Sequence, residues 1–214
     1  MTTTEPGALA TTRRTLHGIA ELLLAGPQHR NAGTIRLQVT PGGFGTVVER
    51  DAGPWLRVDG PALLSGHTRI DLAGRTYNEV AATAGIRAGA PEDVYRDGAG
   101  VDANERITLD PDALATIVRA FEDGDRALRG FAPELTPVLW PEHFDVAVTV
   151  DEVNYGVSPG DTGIGEPYAY VGPHRPRSGP FWDAPFGAAR TVRQLGDTAG
   201  IQAFFDEGRA EARR

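Results

Sequence analysis

Cysteine is absent from this 214-residue chain, and so is lysine: all 21 basic residues are arginine. Without cysteine there is no disulfide, no thiolate nucleophile, no iron–sulfur cluster and no zinc site that needs a thiolate. Without lysine no Schiff base forms and no P-loop lysine exists, which excludes lysine-anchored pyridoxal chemistry and Walker-type nucleotide binding. Long apolar runs are missing too. The cluster Ile19 to Ala25 falls far short of the roughly 20 residues that span a bilayer, so no membrane partner is expected. Met1 to Gly7 is threonine-rich, carries Glu5 and lacks the basic start and apolar middle of a secretory signal, so the expected location is cytoplasmic and residues 1–7 are expected to be disordered. Positive charge is in deficit, with 21 basic against 29 acidic residues and a net charge of -8. A phosphate backbone is repelled on average, and neither His174-Arg175-Pro176-Arg177 nor Arg213-Arg214 makes a basic groove, so nucleic acid is not an expected partner.

What remains is ordinary globular material. A hydrophobic content of 40% supplies a core, and the length suits a single domain over residues 1–214. Thr11 or Thr12 caps a first helix whose apolar residues Leu16, Ile19, Ala20, Leu23 and Leu24 recur at helical spacing, and Gly26-Pro27 is expected to stop it. Thr34–Thr40 and Phe44–Glu49 flank the turn Pro41-Gly42-Gly43 and read as an antiparallel hairpin, with Trp55–Val58 as a third strand. Thr76 and Glu79 form a capping box for a helix ending at Gly85. Pro91 to Glu105 reads as a surface loop and Arg106–Leu109 as a short strand. Asp110-Pro111 opens a helix with a buried stripe of Leu114, Ile117, Val118, Phe121 and Leu128. Val138–Val150 reads as a strand broken near Pro141, followed by short strands at Asn154–Val157 and Tyr168–Val171. The segment 198–214 reads as a C-terminal amphipathic helix. Consecutive antiparallel strands give an α+β class, an antiparallel sheet with helices packed mainly on one face.

The chemistry-bearing groups concentrate between Trp140 and Phe186. Strand parity places Phe144, Val146 and Val148 on one face and His143, Asp145 and Thr149 on the other. The same parity aligns Glu166, Tyr168, Tyr170 and His174. Pairing the two strands would gather His143, Asp145, Glu166, Tyr168 and Tyr170 on one surface, where a histidine beside carboxylates and phenols can move protons. A polar outer sheet face explains the same alternation. Tyr155, Tyr168, Tyr170, Phe181, Trp182 and Phe186 either wall a pocket or close the sheet as an aromatic mini-core. Gly156-Val157-Ser158-Pro159-Gly160 matches the nucleophile-elbow pattern in letters only, because Pro159 and Gly160 disfavour the helix that must follow. No histidine pair has metal-ligand spacing, and only folding could unite His143, Asp145 and His174 as ligands, so no metal and no cofactor is expected. Asp97, Asp102, Asn104 and Glu105 lack the central glycine of an EF-hand loop.

Four stretches also carry a family resemblance. Leu139–Asp145, Asp151–Asp161, Glu166–His174 and Gly179–Gly187 together resemble a family of uncharacterised actinobacterial proteins marked by WPEHFD, EPYAYVGPH and GPFWDAPFG. The likeness extends over nearly the whole chain. It implies an actinobacterial, cytoplasmic protein and supplies no mechanism.

Two functional readings follow. In the first, a small molecule binds around residues 140–186, with metal-independent acid/base chemistry: His143 as acid or base, Asp145 as its orienting partner and Glu166 as a further catalytic carboxylate, Tyr155, Tyr168 and Tyr170 donating hydrogen bonds, His174 as a further substrate-binding residue, and Trp182 as an apolar wall. In the second, the same aromatic surface serves a non-catalytic interaction module, a homodimer.

Overall fold

The computed structural model describes residues 6–47, 55–96 and 98–214. Three expectations fall outside them in whole or part: disorder over residues 1–7, of which only Pro6 and Gly7 are described and instead open a helix, the end of the second strand at Val48 and Glu49, and Asp97 of the EF-hand-like loop. The chain is α+β, and its strands pair antiparallel. It divides into two compact units: residues 1–118 with 139–144, and residues 119–138 with 145–214.

The first unit starts with a helix that does not stop where the sequence says it should. Helix α1 (Pro6–Ile19) runs into a π-helical segment, Ala20–Ala25, and on into α2 (Gly26–Ala32). The wider π turn is what admits Gly26-Pro27. The Gly26 N–H bonds the Glu21 carbonyl, five residues back, instead of Leu22. The freed Leu22 carbonyl accepts from the Gly89 N–H at 3.0 Å. Proline, which cannot donate, is thus accommodated without an orphaned group at this point. Gly26 also has to be glycine, since a Cβ there would lie 1.7 Å from the Gly89 carbonyl oxygen. The helix ends at Gly33, left-handed at φ 70°.

Beneath it lie β1 (Leu37–Thr40), β2 (Gly43–Thr46), β3 (Leu56–Asp59), β4 (Ala62–Ser65), β5 (Thr68–Asp71) and β6 (Val138–Trp140), in spatial order β6-β1-β2-β3-β4-β5. Register puts Val39, Phe44, Val58, Leu63 and Ile70 on one face. That face packs under the π segment and α3 (Tyr77–Ala84), whose Thr76–Glu79 capping box forms as expected. The opposite face carries Gln38, Gly45, Arg57, Leu64 and Arg69 in one row. Strands β4 and β5 were not expected. Arg106–Leu109 is not a strand, and only Arg106 forms a single bridge, to Thr76.

Helix α4 (Pro111–Phe131) starts at the Asp110 cap, whose carboxylate accepts from the Ala113 N–H at 2.9 Å. Its later turns belong to the second unit. There β7 (Asp145–Val150), β8 (Val153–Ser158), β9 (Tyr168–Pro173) and β10 (Ala188–Thr191) form a meander. Val146, Val157 and Ala169 make one apolar row, and Val148, Tyr155, Val171 and Ala188 another. Gly124 of α4 sits on this face so closely that a Cβ would lie 2.8 Å from Val157. After the short α5 (Val192–Leu195), α6 (Thr198–Ala212) covers the rest, with Gly208 against Val171 and Phe181. Helices on one face leave the other to Asp145, Gly156, Ser158, Tyr168 and Tyr170.

Candidate functional site

The first unit holds a cleft of about 640 Å³ lined by Gly42, Asp59, Gly60, Pro61, Arg69, Ala73, Leu109, Pro111, Leu114, Ala115 and Val118. Two hairpin turns make one wall. Gly42 (φ 79°) and Gly60 (φ 54°) both need the left-handed backbone, and the Gly60 N–H donates to the Gly42 carbonyl at 2.8 Å. The opening turns of α4 make the other wall, with Leu114 and Val118 directed by the helical period that buries Ile117. The lining is mostly apolar. Its charge sits at one edge, where Arg69 Nη1 donates to Asp59 Oδ2 at 3.2 Å and Arg57 Nη2 lies 4.0 Å from that same oxygen. Arg57 also donates to the Pro41 carbonyl at 3.2 Å and stacks over Trp55. Arg57 is not itself part of the lining, and its buried Nε has no acceptor among the described residues. No sequence motif announced this cleft. Its lining comes from separated segments whose glycines and prolines signal only turns and the start of α4.

The expected site residues take up the following places. His143 lies in the turn 141–144, its side chain 68% exposed and its Nε2 2.9 Å from Glu142. The strand that parity assumed is interrupted here, because Phe144 adopts φ 52°. The Phe144 ring is buried between Phe44, edge-on at 5.5 Å, and His17, stacked at 5.3 Å. His17, which the sequence did not single out, is the histidine with the strongly altered environment. Burial lowers its pKa to about 4, against the raising effect of its hydrogen bond with the Pro141 carbonyl. At neutral pH it is therefore the neutral ring, with Nε2–H donating to Pro141.

In the second unit, Asp145, Tyr168 and Tyr170 do come together on the face that parity gave them. The Tyr170 hydroxyl donates to Asp145, and the Tyr168 hydroxyl donates to Asp161 at 2.6 Å. Tyr170 lies across Gly156, where a Cβ would meet its ring at 2.6 Å. Phe186 stacks on Tyr168 and meets Tyr170 edge-on. Burial first, and then the carboxylates, raise both phenol pKa values. Each phenol is thus held protonated as a donor to a carboxylate, a bracing arrangement and not that of a base. Glu166 goes elsewhere: Arg193 grips it at 2.9 and 3.1 Å and lowers its pKa. His174 Nε2 meets Asn154 Oδ1 at 3.2 Å. Tyr155 is buried against Phe131 and Phe205 on the helix-covered face, and Trp182 packs edge-on against Phe181. Tyr155 and Trp182 therefore belong to the mini-core alternative. Ser158 Oγ is buried and exchanges hydrogen bonds with Gly160 in a turn, with no helix after it.

One buried carboxylate also escaped the sequence. Glu21, in the π segment, is 4% exposed and accepts from the Ala99 N–H at 2.7 Å. Burial raises its pKa, against the lowering effect of the Ala99 N–H. Among the described residues, no group of three or more His, Asp and Glu side chains is placed to hold a metal ion, and no helix is long and apolar enough to cross a membrane. Compared with family models, with curated proteins and with solved structures, the chain matches none.

Proposed function

We propose that the protein binds a small, largely apolar molecule, and that its site is the cleft between the glycine-bearing hairpin turns and the start of α4. The observation that carries this reading is the cleft itself. Its volume of about 640 Å³ falls within the range of roughly 300–1,000 Å³ typical of ligand pockets, and an apolar lining with a few polar groups at one edge is their usual composition. The small-molecule reading of the sequence is kept, while its location moves. Around Tyr168 and Tyr170 each hydroxyl already donates to a carboxylate, whereas the cleft wall of Pro61, Ala73, Leu109, Leu114 and Val118 has apolar surface to offer.

Ala115 supplies the test. It lines the cleft from the exposed side of α4, so Ala115→Trp fills the space without disturbing the core. Nile red, a neutral apolar dye, should brighten with the wild-type protein and not with the variant, while thermal unfolding of the two stays alike. Equal brightening with both proteins would refute the location, and none with either would refute the function.

A further inference from the structure

We propose that Ser178 is a phosphorylation site, read by a serine kinase that recognises arginine on the N-terminal side of its target. The proposal goes beyond the cleft and does not depend on it. The chain has three serines, and two of them serve the fold. Ser65 Oγ donates to the Ala84 carbonyl at 3.4 Å, and Ser158 is buried in its bonds with Gly160. Ser178 is exposed, and its hydroxyl has no hydrogen-bond partner among the described residues. It is also the one serine or threonine of the chain with arginine three places before it.

The backbone presents this hydroxyl. The loop between β9 and β10 is fastened on either side of it. The His174 N–H donates to the Glu152 carbonyl at 2.9 Å, and the Trp182 N–H to the Gly179 carbonyl at 3.1 Å, with Phe181 buried between Gly179 and Trp182 in sequence. Every residue from His174 to Pro180 is exposed, and Pro176–Ser178 belongs to no helix or strand. Pro176 and Pro180 explain why. Neither has an N–H to donate, and each keeps the residue before it out of the helical region. An open segment of this kind enters a kinase groove without unfolding the rest of the chain.

Arg175 and Arg177 supply the recognition. In a chain of net charge -8, nearby arginines are already taken: Asp183 holds Arg190, and Glu166 holds Arg193. Arg175 and Arg177 make no ion pair or hydrogen bond among the described residues. Both guanidinium groups are therefore available to carboxylates of a partner. In the transfer, Ser178 Oγ bonds to the terminal phosphorus of a nucleoside triphosphate. The bond from that phosphorus to the bridging oxygen breaks, the hydroxyl proton passes to the kinase's base, and a nucleoside diphosphate leaves. The phosphate brings a charge of roughly -1.5 to -2 at neutral pH. Beside Arg175 and Arg177, it takes the loop from cationic to nearly neutral.

The experiment uses the intact folded protein, magnesium ATP and the catalytic subunit of cyclic-AMP-dependent protein kinase, which selects arginine before its target serine. One phosphoryl group should be incorporated, and fragmentation mass spectrometry should place it on Ser178. Ser178→Ala should take up none. Arg175→Gln should be slowed at least about tenfold, the factor that one lost charge-assisted hydrogen bond carries. A synthetic peptide of residues 172–182 reports the rate for the segment alone, and the folded protein should be modified at a comparable rate. A peptide that reacts while the folded protein does not would show that the fold hides Ser178 and would overturn the proposal. Phosphate on another residue, an undiminished rate in Arg175→Gln, or a peptide that does not react would overturn it equally.

Discussion

Acid should destabilise the first unit through His17, and the size of the effect can be worked out. The ring is neutral in the folded chain because burial lowers its pKa from 6.5 to about 4. In the unfolded chain it titrates normally. Between those two values the unfolded state binds the proton and the folded state does not, so folding loses ground as pH falls. The stabilisation is complete above pH 6.5 and gone by about pH 4. The full difference is worth at most about 3 kcal/mol, and at pH 4.5 the loss should be about 2 kcal/mol after allowance for the partial exposure of the ring. The control is His17→Gln, which keeps a donor for the Pro141 carbonyl but does not titrate. Urea unfolding of both proteins at pH 7.5 and 4.5 separates His17 from the carboxylates, which they share. Wild type should lose about 2 kcal/mol more than the variant across that range. Parallel losses would refute the idea that His17 is held neutral.

Packing and association give further predictions. Gly124→Ala puts a Cβ 2.8 Å from Val157 on a fully buried face, so it should cost about 1–3 kcal/mol by overpacking, despite the better helix propensity of alanine. Urea midpoints would show this, and a stabilised variant would contradict the packing. The homodimer expected as an alternative from the sequence would use Phe186, which is 43% exposed and stacked on Tyr168. On that account sedimentation velocity finds a dimer that Phe186→Ser dissociates, whereas a wild-type monomer at high concentration rejects it.

What the sequence made legible was local. The Asp110-Pro111 start of α4, the Thr76–Glu79 box and the apolar period of α6 are written within a few neighbouring residues, and all three form. The Gly26-Pro27 stop failed because its remedy lies far along the chain: a π turn whose freed Leu22 carbonyl is met by Gly89. Strands β4 and β5 went unread because neither Ala-Leu-Leu-Ser nor Thr-Arg-Ile-Asp alternates apolar and polar residues along its length, and both are set among glycine, proline and charged residues. Of the candidate site, parity correctly joined Asp145, Tyr168 and Tyr170, since all three lie within unbroken strands. It misplaced His143, because a phenylalanine with positive φ is a tertiary event: Phe144 takes that backbone while its ring is buried between His17 and Phe44. The cleft was illegible for a related reason. Gly42, Asp59, Arg69 and Leu114 are remote in sequence, and nothing in their spacing records that they converge.

The location of the ligand site is tested most directly by amide chemical-shift mapping of the uniformly ¹⁵N-labelled protein as the neutral probe Nile red is added. The account predicts saturable shifts concentrated at Gly42, Gly60, Arg69, Ala73, Leu109 and Ala115, with Tyr168, Tyr170 and Phe186 unmoved. Shifts that cluster instead around Tyr168 and Phe186, or none at saturating ligand, would contradict it.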